Sequence, residues 1–574
     1  MKNRALLAVA CLLYLVIESG QGVARAEELA PRYERRWIYA SQNLLVDKNV
    51  DQLIELIQRA GKCGYNGMML ADYKFNILDR MPKRYFENVA RVRKAAAAAK
   101  LEIIPAVFPI GYSAGLLAHD PNLAEGLPVI DAPFVVKERE AVPASSPPRL
   151  ANADLEETKG DRFTGVSFQD DPGKATFADS KVVHHGKVSC RMQDVGKQGS
   201  SGNGRLIQNL KVRPHACYRY SCWVKTQDLS SPGSFRLLAI GAGKGARQLT
   251  FFEGGVERTQ DWKQVDVVFN SLDQSEVNLY VGLWGGGTGT LWIDERALDE
   301  LAFVNVLRRP GCPLTVTSAD GRTTFEEGRD FEPLQDPKLG QQPYAGEFSF
   351  AHDGPRLRLT ERSRIKPGSH LKVSWYHPVL THGEQVMCCL SEPKVYELLR
   401  DQAERVQTLF QPKTVFMSHD EIRVANWCQA CQARHETPGG LVADNARRCV
   451  GILKEVMPQA QVVVWSDMFD PHHNAVKSYY LVNGSLEGSW LGLEPTVIIA
   501  NWNSGKAKES LNWFADRGHS QLVAGYYDDE GLENLERWNT AAKGVPRVIG
   551  FMYTTWQQKY DQMEAYGKAL KAAR

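Results

Sequence analysis

Two adjacent carboxylates, Asp420 and Glu421, follow directly on Thr414-Val415-Phe416-Met417-Ser418-His419, a short, largely apolar, β-prone run. Acids at the end of a buried strand can give and take protons at a substrate held there, which is general acid–base chemistry. Side chains alternate along a strand, so both acids reach one pocket only if the backbone leaves the extended conformation at that point. A solvated turn carrying a helix N-cap explains an isolated Asp-Glu pair equally well; the company the pair keeps decides between them. Further strand-like runs end in Trp465-Ser466-Asp467, in Trp502, in Tyr526-Tyr527-Asp528 and in Thr555-Trp556-Gln557. Aromatic faces stack on the C–H face of a sugar ring and carboxylates accept its hydroxyls, so this set suits a polyhydroxylated substrate. The expected catalytic pair is Asp420 and Glu421. Expected binding residues are His419, Trp465, Asp467, Trp502, Tyr526, Tyr527, Asp528, Trp556 and Gln557.

The elements that must position these residues alternate between strand and helix. Residues 37–40, 67–71 and 102–108 read as strands, with helical spacing over 50–60 and 84–100 between them. Alternation stops near residue 112 and resumes at Pro393. Strands then follow at 414–420, 462–467, 497–502, 522–527 and 548–555. Three strands before the break and five after it make eight, the count of a (β/α)8 TIM barrel whose chemistry lies at the strands' C-terminal ends. The expected fold is therefore α/β plus all-β, a barrel interrupted after its third strand by a β-sandwich and a small β element. The boundaries are 27–147 for the first barrel part, 148–305 for the sandwich, 306–384 for the small β element and 385–574 for the second barrel part.

Within the interruption, Asn152-Ala153-Asp154-Leu155-Glu156, the alternating Cys217-Tyr218-Arg219-Tyr220-Ser221-Cys222-Trp223-Val224-Lys225 and Gly289-Thr290-Leu291-Trp292-Ile293-Asp294 resemble the opening, middle and closing strands of jelly-roll carbohydrate-binding modules. Trp223, Trp262, Trp284 and Trp292 could stack on sugar or fill a core. The Asp320-Gly321 dipeptide marks a hairpin within residues 314–322.

The second barrel part resembles family 20 of the glycoside hydrolases, the β-N-acetylhexosaminidases. Ser391-Glu392-Pro393-Lys394-Val395-Tyr396-Glu397-Leu398-Leu399 looks like the start of the helix before that family's catalytic strand, and Asp420-Glu421 matches its Asp-Glu pair. Trp465, Trp502, the Tyr-Asp after strand seven and Trp556 fall where the family places pocket aromatics. Ser418-His419 stands where two Gly are usual, Gln557 where Glu is usual, and a sugar-gripping Arg after strand one has no counterpart. The resemblance implies a hydrolase of N-acetylhexosamine-type sugars that uses the substrate's 2-acetamido oxygen as nucleophile. Glu421 would be the general acid, with its proton held by partial burial and the neighbouring charge, and Asp420 would orient the acetamido group. The alternatives are a non-acetamido glycan hydrolase with Asp467 or Asp528 as nucleophile or base, and a non-catalytic carbohydrate-binding protein on the same barrel.

Composition bounds the rest. At 574 residues the chain exceeds one ordinary core. Its 69 basic and 67 acidic residues leave +2, which gives no nucleic-acid footprint. Lys2 and Arg4 before the apolar run 5–17, with Ala24-Arg25-Ala26 after it, read as a signal peptide over residues 1–26. A secreted or periplasmic protein without an integral membrane span is the expectation, and a lipoprotein anchor at Cys11 is disfavoured. Ten cysteines remain after cleavage and suit a few disulfides and buried thiols. Cys428-x-x-Cys431 with His435 and Cys449 has partial zinc spacing, but export favours disulfides or free thiols, so neither metal nor cofactor is expected. The expected partner is an oligosaccharide or polysaccharide substrate.

Overall fold

The computed structural model describes residues 33–144, 148–198, 201–243, 246–250, 255–285, 287–383, 385–526 and 528–572. The expected signal peptide and Tyr527 lie outside the described residues.

Eight parallel strands close into a barrel. They are β1 (Arg35–Ser41), β2 (Gly67–Ala71), β3 (Glu102–Ile110), β4 (Thr414–His419), β5 (Gln461–Trp465), β6 (Ile498–Asn501), β7 (Gln521–Tyr526) and β8 (Val548–Thr554), paired in that order with β8 returning to β1. Helices Asp47–Cys63 and Lys83–Ala98 separate the first three strands, and Pro393–Phe410, Pro438–Val456, Ala507–Asp516, Glu533–Ala542 and Met563–Ala572 flank the rest. Between β5 and β6 the described chain forms short 3-10 turns and the two-residue strand Leu481–Val482, which pairs with Val424–Ala425, where the alternation would have called for a helix.

Two side-chain layers follow from the alternation of strand residues. Trp37, Tyr39, Met69, Ile104, Phe416, Val463, Trp465, Ile498, Ala500, Leu522, Ala524 and Met552 fill the barrel interior. Their neighbours Ile38, Met68, Val415, Met417, Val462 and Val464 join the layer beneath the helices. Burying a large aliphatic side chain contributes about 1.5–3 kcal/mol, so the strands are locked in register from both faces.

Between Ile110 and Thr414 the described chain builds three large antiparallel sheets and a two-stranded ribbon of Thr158–Lys159 with Arg162–Phe163. A five-stranded sheet (Gln260–Asn270, Cys217–Gln227, Thr290–Glu300, Ser189–Gln193, Thr176–Asp179) faces a four-stranded one (Phe235–Gly241, Glu276–Leu283, Gly204–Lys211, Phe168–Gln169). Tyr218, Tyr220, Cys222 and Val224 point into this core, so Trp223 points out, where it stacks on His184 at 3.9 Å beside Trp262. Trp292 is buried and donates Nε1–H to Asp179 at 3.1 Å.

The third sheet has six strands, and its centre is His370–His377 paired with Leu127–Lys137. Residues 127–143, assigned from sequence to the first barrel part, thus belong to the small β element instead. The hairpin marked by Asp320-Gly321 forms, with Thr315–Ser318 paired to Thr324–Phe325. No helix among the described residues is long and apolar enough to cross a membrane. All ten described cysteines are unbridged, and nine are buried.

Candidate active site

The C-terminal ends of the barrel strands surround a pocket of about 610 Å3. Tyr39, Ala71, Ile110, Asp420, Trp465, Trp502 and Trp556 come to it from seven different strand ends. The ends of β3 and β4 are drawn together where the acids stand. Asp420 donates its backbone N–H to Ile110 O at 3.0 Å, and Gly111, at φ +107°, passes so close that a Cβ there would lie 1.7 Å from the Asp420 carbonyl oxygen. Only glycine fits both the backbone angle and that approach.

Asp420 continues the inward series Phe416, Ser418, Asp420 and lines the pocket. Glu421 then takes φ +47°, which ends the extended conformation and brings the second carboxylate to the same pocket. The departure from the strand required by two adjacent acids is therefore present.

The two carboxylates are held differently. Glu421 Oε2 accepts from the Tyr112 hydroxyl at 2.6 Å and pairs with Arg423 Nη2 at 2.6 Å. Arg423, with 2% of its side chain exposed, also donates to Gln385 Oε1 at 2.6 Å and to the Tyr112 hydroxyl at 3.1 Å, and lies over the Tyr480 ring. Gln385 ties this group to the backbone, donating to the carbonyls of Gly111 and Glu421, each at 3.0 Å. Asp420 has no comparable cation against it. Burial first, and then the negative charges of Asp467 and Glu421, push its carboxyl well above the usual carboxylate range. Burial, with the charge of Asp420 adding, pushes the Tyr39 hydroxyl up to about 12.

Of the sequence-derived binding residues, Trp465, Trp502 and Trp556 line the pocket. Trp465 packs edge-on against Phe416 below, while Trp556, half exposed, meets Tyr39 at 5.1 Å. The other described ones do other work. His419 alternates outward: it is fully buried, its Nε2 lies 2.8 Å from Asn445 Oδ1 on helix Pro438–Val456, and burial pushes its imidazole down to about 4.

Asp467 is inaccessible. Its Oδ2 accepts from the Glu421 backbone N–H at 2.9 Å and Asn474 Nδ2 at 3.1 Å, and its Oδ1 from Trp502 Nε1 at 3.3 Å, so it orients its neighbours. Burial raises its carboxyl as well. Tyr526 has the inward parity but takes φ +85°, and its ring stacks on Tyr553 in the outer layer at 4.2 Å. Asp528 accepts from the Thr555 hydroxyl and from the backbone N–H groups of Trp556 at 2.9 Å and Gln557 at 3.2 Å, bracketing the loop that carries Trp556. Gln557 enters that bracket through its backbone and its side chain is exposed.

Sequence reasoning missed Tyr39, Tyr112, His382, Gln385 and Arg423. Tyr39 was within reach, since it ends a strand on the parity of Trp37. Arg423 was visible as a cation two residues past the acids. Tyr112, His382 and Gln385 lie in connecting segments with no periodic signal.

No family model matches the chain, and no curated protein matches it. Solved structures similar to it include the chitobiase of Flavobacterium johnsoniae, at 10% identity over 94% of this chain and 48% of that one, with a TM-score of 0.37. A β-N-acetylhexosaminidase aligns at 8% identity over 95% of this chain and 72% of its own, with a TM-score of 0.38. A family 16 carbohydrate-binding module aligns at 16% identity over 26% of this chain and 99% of its own, with a TM-score of 0.20. These three are glycoside hydrolases and a carbohydrate-binding module, at identities and scores that leave substrate and mechanism to be argued from the pocket.

Proposed function

We propose that the protein hydrolyses glycosidic bonds of N-acetylhexosamine-type sugars, with the substrate's own acetamido oxygen as nucleophile. The observation that carries this is the pocket's charge pattern: among its described lining residues the only carboxylates are Asp420 and Glu421. They issue from one strand end, whereas a protein nucleophile and an acid must flank the scissile bond. Asp467 and Asp528, the other candidates for nucleophile or base, spend their oxygens on Trp502, Asn474 and the Trp556 loop. A substrate that brings its own nucleophile needs one proton donor and one charged group to steady the acetamido N–H. The three indoles supply a stacking wall for the ring.

The geometry favours assigning the roles in reverse of the family resemblance. The proton belongs on Asp420, whose ionised form is opposed by burial and two neighbouring carboxylates. Glu421, pinned by Arg423 and Tyr112, is the fixed charge. An acid of this kind works only while protonated, so turnover falls as pH rises through the raised Asp420 value.

The test is turnover of aryl glycosides with and without a 2-acetamido group by the wild type, Asp420→Asn and Glu421→Gln. Asp420→Asn should lower kcat by about 10²–10⁴ on poor leaving groups, the usual contribution of a positioned acid, and far less on activated ones. Glu421→Gln should depress 2-acetamido substrates whatever the leaving group. A wild type that turns over 2-hydroxy glycosides but not 2-acetamido ones, or a glycosyl–protein adduct seen by mass, refutes the mechanism. Leaving-group dependence confined to Glu421→Gln restores the family's assignment of roles.

A further inference from the structure

Away from the pocket, three thiols and one carboxylate converge in the protein interior. Cys389, Cys428, Cys431 and Glu125 are all buried and present one sulfur or oxygen each within 4.8 Å of one another. Cys389 Sγ lies 3.4 Å from Cys428 Sγ and 3.5 Å from Cys431 Sγ. Glu125 Oε2 lies 3.5 Å from the sulfurs of both Cys428 and Cys431. We propose that these four side chains bind one zinc ion.

The sulfur–oxygen distances match that ion, and the sulfur–sulfur distances fall about 0.3–0.4 Å short of it. Zinc–sulfur bonds of about 2.3 Å and zinc–oxygen bonds of about 2.0–2.2 Å in a tetrahedron put sulfurs about 3.8 Å apart and sulfur and oxygen about 3.5–3.7 Å apart. A disulfide would need sulfurs about 2.05 Å apart. Glu125 is also oriented for the task. Its Oε1 accepts the backbone N–H groups of Trp427 at 2.7 Å and Cys428 at 3.0 Å, which leaves Oε2 facing the sulfurs.

Such backbone support of a ligand is what outer-shell hydrogen bonds provide in metal sites, and soft thiolates select zinc over magnesium or calcium. Arg309, with 5% of its side chain exposed, pairs with Glu392 and brings a buried cation near Cys389, Cys312 and Cys428. Binding is coordination without redox change: each thiol that ligates gives its proton to solvent.

The ligands come from three segments that flank the pocket. Glu125 lies where the chain leaves β3 and donates its N–H to Met387 O at 2.8 Å. Cys389, on the returning chain, donates its N–H to Leu123 O at 2.8 Å. Cys428 and Cys431 close the loop that begins at Asp420. One ion would therefore staple the interruption's exit and return to the loop carrying the acids. Cys449 and His435, which sequence spacing grouped with the Cys pair, stand elsewhere: Cys449 is buried against Asn445, and His435 is exposed.

The test is elemental analysis of the intact protein purified without chelator, with no substrate involved. One zinc per chain is expected, Cys428→Ser and Cys431→Ser should each lose at least nine-tenths of it, and Cys449→Ser should keep it. Should the serine variants fail to fold, wild-type protein exchanged into cobalt(II) should show an intense thiolate-to-cobalt charge-transfer band, and a mercurial should release the zinc as three thiols titrate. Folded wild type free of zinc, iron in its place, or a Cys428–Cys431 disulfide in the non-reduced mass would overturn the proposal. So would full zinc retention in both Glu125→Gln and Glu125→Ala with loss in Cys312→Ser, whose thiol hydrogen-bonds that of Cys428, since the fourth ligand would then be a sulfur.

Discussion

His419 sits beside the Asp420-Glu421 pair in sequence and outside the pocket in space, so its replacement separates a substrate ligand from a buried packing residue. In the fold its imidazole is pushed down to about 4, because burial opposes the cation; in the unfolded chain it titrates near 6.5. Above pH 6.5 the ring is neutral in both states and contributes no pH dependence. As pH falls from 6.5 to 4 the unfolded chain takes up a proton that the fold refuses, and stability declines. Below 4 both states are protonated and the decline stops. At about 1.4 kcal/mol for each unit of pKa difference, one ring accounts for up to about 3 kcal/mol.

His377, buried and likewise pushed down to about 4, adds a second decline, while the raised Asp420 and Asp467 act in the opposite sense, losing stability as pH rises. The useful quantity is therefore a difference. Urea unfolding of wild type and His419→Gln, followed by tryptophan fluorescence from pH 7.5 to 4, should show the variant losing about 3 kcal/mol less than the wild type across the window. On whichever aryl glycoside the wild type turns over, KM at pH 7.5 should change by less than about threefold, since no substrate contact is lost. A difference that stays flat with pH, or a tenfold rise in KM with unchanged unfolding, would put the imidazole in the pocket and refute the outward assignment.

Two further substitutions probe how the acids are held. Gly111→Ala should lower stability by about 2–4 kcal/mol, because its Cβ would sit on the Asp420 carbonyl oxygen and at φ +107° any side chain is strained; urea midpoints equal to wild type would mean that the ends of β3 and β4 part freely. Arg423→Met should cost about 3 kcal/mol by stranding the Glu421 carboxylate, and the double variant with Glu421→Gln should recover part of that loss; strictly additive losses in the cycle would show that the two side chains do not depend on each other.

The barrel was legible because its signal is local. Runs such as Val415-Phe416-Met417 and Val462-Val463-Val464 are buried on both faces, and each announces a strand without reference to its neighbours. Which strand-end residues enter the pocket depends on parity, and parity was readable too: the inward series Phe416, Ser418, Asp420 already turns His419 outward. Parity fails where the backbone leaves the strand, and the same left-handed φ has opposite results at two strand ends. At Glu421 it brings a second carboxylate in, and at Tyr526 it takes an aromatic ring out.

No periodicity announces Tyr112, Gln385 or the meeting of Glu125 with Cys389, because each depends on how a chain that leaves the barrel at Ile110 comes back near Thr414. Tyr112, which donates to the Glu421 carboxylate, and Gln385, which holds Arg423 beside it, are drawn from that exit and return, and so are two of the proposed zinc ligands. The interruption is therefore part of the pocket's architecture: its two ends, pinned to each other at Leu123, Glu125, Met387 and Cys389, bring Tyr112 and Gln385 to the acid pair.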